Sequence, residues 1–392
     1  MESDRNFVKS FIKTLKSIYK DDKVYLHEPF LDQKDIKIVS TCLKSGEVST
    51  STNTFYKKFE GQLKKLLKSK YIFLTSTGTN ALHLSLLATN VKKNDEVMLS
   101  SIGFVASLNS ILYVEGVPHF LDCSSNNLGV DYEKLKLFLE TKCKINKKKE
   151  CINLVTKRVI RAIIVTHVFG FPAEIAKIKL ICKKFNIKLI EDAAEALGSF
   201  YKKKHLGTFG EIGILSFNGN KIITTGAGGA IITKNKNYFN FIKKIGNVSR
   251  IKHNYELSYS QVGYNYKMPN INAALGYSQF KKLKYFLKYK KNLNNVYLKL
   301  FKKFRKNVKL ITNLDKTDSN FWLQSLVLKK PKFRNKLIKE CIKNNIYIRP
   351  IWKPLHKSNY VKKKFCQGDM KNTNYLDKRL ICLPSGYNIL KK

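Results

Sequence analysis

The 392-residue sequence predicts an α/β fold: a mostly parallel sheet flanked by helices, with a smaller C-terminal α+β domain. Three observations carry this. Short apolar runs alternate with stretches of helical apolar spacing over roughly 200 residues. One such run ends in acidic residues, at the carboxyl end of a buried strand where open α/β sheets bind ligands. The chain has a hydrophobic fraction of 43%, with 24 Phe and 20 Tyr, and is long enough for one large domain and a smaller one. The expected division is 1–280, with an N-terminal arm, and 281–392.

Residues 1–25 read as a lysine-rich helix and tail. Asp32–Leu43 has helical spacing through Ile36, Val39 and Leu43, and Phe55–Leu67 places Phe59, Leu63, Leu66 and Leu67 on one side. Tyr71–Thr75 predicts a strand running through Ser76-Thr77-Gly78-Thr79-Asn80 into an apolar helix, Ala81–Ala88. Free N–H groups at that helix start suit an anion, and Gly78 lets it approach. An ordinary helix capped by Ser or Thr is the other reading. No GxxxxGK[ST] occurs, which excludes a nucleotide P-loop.

Val97–Leu99 reads as the next strand, and Gly103-Phe104-Val105-Ala106 leads into a helix over Leu108–Val114. Phe104, at this turn, is either a stacking surface for a cofactor ring or a core aromatic. Val117–Leu121 is a further strand, and Lys142–Lys157 reads as a lysine-rich surface loop. Val159–Val165 is strongly β. The helix Ile175–Asn186 follows, then the strand Ile187–Ile190, which ends in Glu191-Asp192-Ala193-Ala194-Glu195. From that strand end, Asp192 can keep a ring nitrogen protonated, or it caps a helix.

The stretch Ile212–Thr233 organises the rest. A buried run, Ile212–Phe217, breaks into Asn218-Gly219-Asn220-Lys221, and after the glycines of Thr225–Gly229 a second run, Ala230–Ile232, resumes. Burying a lysine in such a turn disfavours its ammonium form and makes the amine a usable nucleophile. Ser216, five residues earlier, supplies a hydroxyl for a phosphate. These are the needs of a lysine that carries pyridoxal phosphate. A hairpin turn with a solvated lysine is the alternative.

Composition narrows the function further. The formal net charge is +46, yet only eight of the 74 basic residues are Arg. Arg is the residue that base-reading and phosphate-forking surfaces favour, so the charge reads as lysines on solvated helix faces, not as a dedicated nucleic-acid surface. The eight cysteines are scattered and never spaced CxxC, which argues against a zinc site and a disulfide framework. No apolar run approaches a membrane span and no signal peptide is evident, so a cytoplasmic enzyme is expected, with no metal and no membrane partner.

Taken together, TGTNALHLSLLA, FVASLNSILY, EDAAEALGS, SFNGNKIITTGAGGAIIT, VGYNYKMPNINAALG, YIRPIWKPLH and LPSGYN resemble the DegT/DnrJ/EryC1/StrS family of pyridoxal-phosphate sugar aminotransferases, of fold type I, from about His27 to Leu390. The resemblance implies that Lys221 carries pyridoxal 5′-phosphate, that Asp192 pairs with its ring nitrogen and that Phe104 stacks on the ring. Gly78, Thr79 and Ser216 would hold the phosphate, and Glu195 would lie near the ring. Asn265 would reach the phosphate in the partner subunit's site, making the active unit a homodimer. Arg349 and His356 would lie on the segment lining the nucleotide-sugar pocket. The ends look most like transaminases that move an amino group from L-glutamate to a UDP-linked 2-acetamido-2,6-dideoxy-4-keto sugar in surface polysaccharide biosynthesis. Amination at C3, or of a GDP- or dTDP-sugar, is the rival within the family. A basic nucleic-acid-binding or regulatory protein on an inactive enzyme fold is the rival from another class.

The chain departs from the family pattern at several places. Gly103 replaces a threonine, Phe171 and Glu174 replace a more common His and Asp, and Lys267 stands where Arg is usual. The substrate-facing loop is here Gly46-Glu47-Val48-Ser49-Thr50-Ser51-Thr52, without its aromatic and second glycine. These changes touch the sugar and leave the cofactor chemistry intact.

Overall fold

Alternating apolar runs bury both faces of a central sheet in the computed structural model, which describes residues 2–51, 53–251, 253–361 and 368–391. Among the described residues nine strands form it, two in a hairpin beside β4 and seven along its main path: β1 (Tyr71–Thr75), β2 (Glu96–Ser100), β3 (Val117–Leu121), β4 (Val159–Thr166), β5 (Lys188–Asp192), β6 (Ile212–Ser216) and β7 (Gly229–Thr233). Their order is β1-β7-β6-β5-β4-β2-β3. Strand β7 runs antiparallel to both neighbours, and the other pairs are parallel.

The helices follow as α1 (Glu2–Lys16), α2 (Gln33–Lys44), α3 (Thr54–Leu67), α4 (Gly78–Ala88), α5 (Val105–Tyr113), α6 (Tyr132–Lys142), α7 (Ile175–Lys184), α8 (Lys236–Ile245), α9 (Asn270–Lys281), α10 (Leu283–Phe301), α11 (Phe333–Lys343) and α12 (Lys371–Asp377). Helices α4, α5 and α8 cover one face, where Leu84, Leu108 and Ile242 meet Phe73, Leu99 and Ile214. Helices α3, α6, α7 and α9 cover the other, where Phe59, Leu139, Ile178 and Ala273 meet Leu74, Met98, Val165 and Leu215. Successive side chains of a strand thus serve opposite cores, as a pleated strand requires.

A second sheet, in the order Val308–Leu310, Gln324–Leu328, Leu380–Leu383, Arg349–Pro350, is antiparallel throughout. It carries its own core with α10 and α11. Helix α1, counted with the first domain on sequence, packs Phe7, Phe11 and Leu15 into this second core against Phe301, Phe304 and Phe333. Its apolar stripe is too distant in sequence for local patterning to name its partner.

The expected surface loop Lys142–Lys157 is instead a hairpin, Cys143–Ile145 with Cys151–Asn153, whose second strand pairs antiparallel with β4. Its polar residues have an interior task. Buried Glu96, at the start of β2, accepts from Asn153 Nδ2 at 2.9 Å and from Thr156 Oγ1, and meets His119 Nδ1 at 2.8 Å. The lysines of this stretch masked those inward positions. Seven cysteines are free and buried, and Cys366 lies outside the described residues. Among the described residues no helix is long and apolar enough to cross a membrane.

Candidate active site

The carboxyl ends of β1, β2, β4, β5 and β6 open on one cavity of about 270 Å³. At one end, β1 runs into α4. Thr77 is the N-cap, its hydroxyl accepting from Asn80 N–H at 3.0 Å. Beyond it, Gly78 and Thr79 present the unpaired amides of a helix start to the cavity. Ser216, the last residue of β6, closes this end. A Cβ on Gly78 would stand 3.0 Å from the Ser216 Cβ and 3.2 Å from its hydroxyl, so glycine is what leaves room for an anion between them.

At the other end Asp192, the last residue of β5, is 4% exposed. Ser107 Oγ donates to Asp192 Oδ2 at 2.7 Å, and the Ala194 N–H donates to Oδ1 at 3.2 Å. Phe104 is the N-cap of α5, half exposed, with its ring edge-to-face with Trp352 at 6.1 Å.

Between these ends stands Lys221. Its Nζ lies 3.2 Å from Glu195 Oε1 and 4.0 Å from the centre of the Trp322 ring. Glu195 is buried, and its other oxygen accepts from the Phe169 N–H at 2.8 Å. Burial holds this carboxyl above the usual glutamate range, outweighing the Lys221 ammonium and the Phe169 N–H, which pull it down.

The structure therefore brings Gly78, Thr79, Phe104, Asp192, Glu195, Ser216 and Lys221 around one cavity. The other three sequence candidates stand outside it in this chain. Asn265 is exposed on a segment whose neighbours Ser76 and Tyr266 join it to the end of β1. Arg349 is exposed on its short strand. His356 turns its Nδ1 to Ser101 Oγ at 2.5 Å and its ring to Phe120, and burial lowers its pKa.

Trp322 and Trp352, which sequence reasoning did not single out, line the cavity. Both come from the C-terminal third, more than 100 residues after Lys221, and no local pattern distinguishes a cavity tryptophan from a core one. Trp352 sits inside YIRPIWKPLH, the one signal that could have pointed to it.

Pyridoxal phosphate fits what these residues offer: free helix-start amides and a hydroxyl for its phosphate, a buried acid, an aromatic face and an amine, all on one cavity. The comparisons agree. The model of the DegT/DnrJ/EryC1/StrS aminotransferase family matches residues 29–392. GDP-perosamine synthase of Escherichia coli O157:H7 is 30% identical over 335 residues, 84% of this chain and 85% of the relative. UDP-4-amino-4,6-dideoxy-N-acetyl-beta-L-altrosamine transaminase of Campylobacter jejuni (strain 81-176) is 28% identical over 366 residues, 92% and 91% of the two chains. Among solved structures, Helicobacter pylori PseC, described as an aminotransferase involved in the biosynthesis of pseudoaminic acid, superposes with a TM-score of 0.82 at 25% identity, covering 92% of this chain and 93% of that one. On these grounds the chain belongs to the DegT/DnrJ/EryC1/StrS family and is a pyridoxal-phosphate-dependent sugar aminotransferase.

Proposed function

We propose that the chain transfers the amino group of L-glutamate to C4 of a 4-keto-6-deoxy sugar carried on a nucleoside diphosphate, in the first place a UDP-linked 2-acetamido sugar made for surface polysaccharide. The observation that carries this is the placing of Lys221 Nζ 3.2 Å from the Glu195 carboxyl, between an anion cradle and Asp192.

Bound there, pyridoxal phosphate supplies an electron sink and carries the amino group between the two substrates. The chain supplies the rest. Gly78, Thr79 and Ser216 would hold the cofactor's phosphate, while Asp192, fixed by Ser107 and Ala194, would hold a proton on its ring nitrogen. Phe104 presents its half-exposed ring as a stacking face. Lys221 Nζ would hold the cofactor and would take and return a proton at this place, with Glu195 beside it as the group that accepts its hydrogen bond. Trp352 and Phe104, their ring centres 6.1 Å apart, line the same cavity.

The same reading makes the working unit a homodimer. Asn265 is exposed, and close to it in sequence Ile251, Tyr255, Leu257, Tyr259 and Val262 expose apolar surface, with Tyr255 84% and Val262 82% exposed. A second copy would cover that surface and bring Asn265 to a phosphate. Arg349 and His356 belong in this reading to the approach of the nucleotide sugar.

A GDP-linked sugar is the second reading, favoured by the 30% identity to GDP-perosamine synthase. Glutamate-dependent amination measured across UDP-, GDP- and dTDP-linked 4-keto and 3-keto sugars decides between them. The expected result is fastest turnover of a UDP-linked 4-keto substrate. Preference for a GDP sugar selects the second reading, and amination at C3 alone contradicts both.

A further inference from the structure

We infer that Trp322 is the positioning residue for Lys221, holding the amine in place for its reaction with pyridoxal phosphate through the face of its ring and holding the lysine's turn through its indole N–H. Two contacts from one side chain carry this. Trp322 Nε1 donates to the Asn220 carbonyl at 2.7 Å, which fixes the residue preceding Lys221. The ring itself lies 4.0 Å beneath the Lys221 Nζ, where its negative face attracts an ammonium. A lysine side chain has several freely rotating bonds, so an amine resting between a ring and the Glu195 carboxyl is confined to few of its directions.

The ring is rigidly backed. Trp322 is 3% exposed. Its backbone N–H donates to Asn320 Oδ1 at 2.8 Å, and the Asn320 side-chain amide donates to the backbone carbonyls of Glu195 at 2.8 Å and Leu197 at 2.9 Å. The backbones of Glu195 and Trp322, whose side chains touch the Lys221 amine, are thus tied together by Asn320. From behind, the buried Lys290 amine donates to the Trp322 carbonyl at 3.0 Å. Tyr387 O–H donates to the Ile222 carbonyl at 2.8 Å, so the residue after Lys221 is held as well. The charged and titratable groups facing this assembly include Glu195, Asp192, Lys290, Tyr387 and His27, whose ring packs 6.3 Å from that of Trp322. Among the described residues Trp322 makes no hydrogen bond to Gly78, Thr79 or Ser216, so its loss is expected to act on the amine rather than on cofactor retention.

The inference rests on Lys221 as the attachment lysine, and the experiment separates the two. Cofactor-free protein is mixed rapidly with pyridoxal phosphate, and covalent capture is followed by absorbance in wild type, Trp322→Phe and Trp322→Leu. In parallel, non-covalent retention of pyridoxal phosphate is measured in Lys221→Ala and in Lys221→Ala/Trp322→Leu. Trp322→Leu should slow capture roughly tenfold to a hundredfold, the size expected when a reacting group is misplaced by about an ångström. Trp322→Phe keeps a ring face and should recover most of that loss. Retention in the two Lys221→Ala proteins should agree within about twofold, as pure misplacement of the amine requires. Should Trp322→Leu not fold, Trp322→Met fills the same space and carries the same expectation. Capture in the aliphatic variant equal to wild type, or an equal fall in retention without the lysine, overturns the positioning role. Wild type that captures nothing overturns the assignment of Lys221 and this inference with it.

Discussion

Asp192 and Lys221 lie only 29 residues apart in sequence, on adjacent strands β5 and β6 and the turn beyond, yet they reach the cavity for different reasons. Asp192 is delivered by the end of a buried parallel strand, and that position is legible in any sequence where an apolar run stops at an acid. Replacing it with Asn keeps the shape and removes the charge. Turnover should fall on the order of a hundredfold or more with the fold intact, and near-normal turnover would count against the role. Lys221 was legible through its glycine turn, but its neighbours were not. Trp322 comes from the bend before the distant strand Gln324–Leu328, and Glu195 from a loop in which its carbonyl accepts from the Asn320 amide. Glu195 yields a prediction on pH. Its carboxyl is held above the ordinary value, chiefly by burial, so the folded protein binds its proton more tightly than the unfolded chain does. The stability of the cofactor-free protein relative to Glu195→Gln should therefore fall as pH rises from the ordinary glutamate range through the raised value. Melting temperatures of the pair across that range check it. A difference that grows with pH would mean that the Lys221 pairing outweighs burial.

Two turns hold these side chains where the elements alone would not. The end of β4 runs into Phe169, with φ 55°, and Gly170, with φ 90°. A Cβ on Gly170 would stand 1.9 Å from Asn320 Oδ1, the atom that accepts from the Trp322 N–H. Gly170→Ala should cost at least about 2 kcal/mol through strain and clash, and it should loosen Trp322 as well. Thermal melting together with pyridoxal phosphate capture reads both effects, and unchanged values would show that the Asn320 tie matters little. Gly78→Ala acts at the other turn. Its methyl group enters the cradle beside Ser216, so cofactor retention should drop roughly tenfold, with little change in melting temperature. A variant that retains cofactor as wild type does would move the phosphate elsewhere. At this scale the sequence was informative for the regular elements, because β1 and β6 are largely apolar runs that each end in a hydroxyl residue, Thr75 and Ser216. It misled at the hairpin after α6, where lysines outnumber the few residues that turn inward to Glu96. It marked Lys267 as standing where Arg is usual but gave no sign of its partners: the amine donates to Thr50 O and Asn53 Oδ1 and so ties the loop of Thr50 to the segment of Asn265. Thr52 of that loop lies outside the described residues.

The whole chain carries a formal charge of +46, spread over both domains, against a substrate proposed to bear a diphosphate. Such a field attracts anions at long range and is screened within roughly 8–10 Å near physiological salt. Raising the salt should then raise KM for the nucleotide sugar several-fold and leave kcat nearly constant, because the cavity contacts are short. Binding to duplex DNA should be weak and steeply salt-dependent, and tight, salt-resistant, sequence-selective binding would contradict a charge that merely steers. The proposed dimer has its own test. Lys221→Ala and Asn265→Ala proteins should each be impaired, while subunits exchanged between them should regain one working site per mixed dimer. No recovery after proven exchange would contradict a shared site. The central claim, that one lysine between the Glu195 carboxyl and the Trp322 ring carries the cofactor, is tested most directly by chemistry on the intact protein. The protein loaded with pyridoxal phosphate is reduced with borohydride, digested, and the modified lysine located by mass spectrometry. The adduct should fall on Lys221 and disappear in Lys221→Ala. An adduct on any of the other 65 lysines, or none at all, would contradict it.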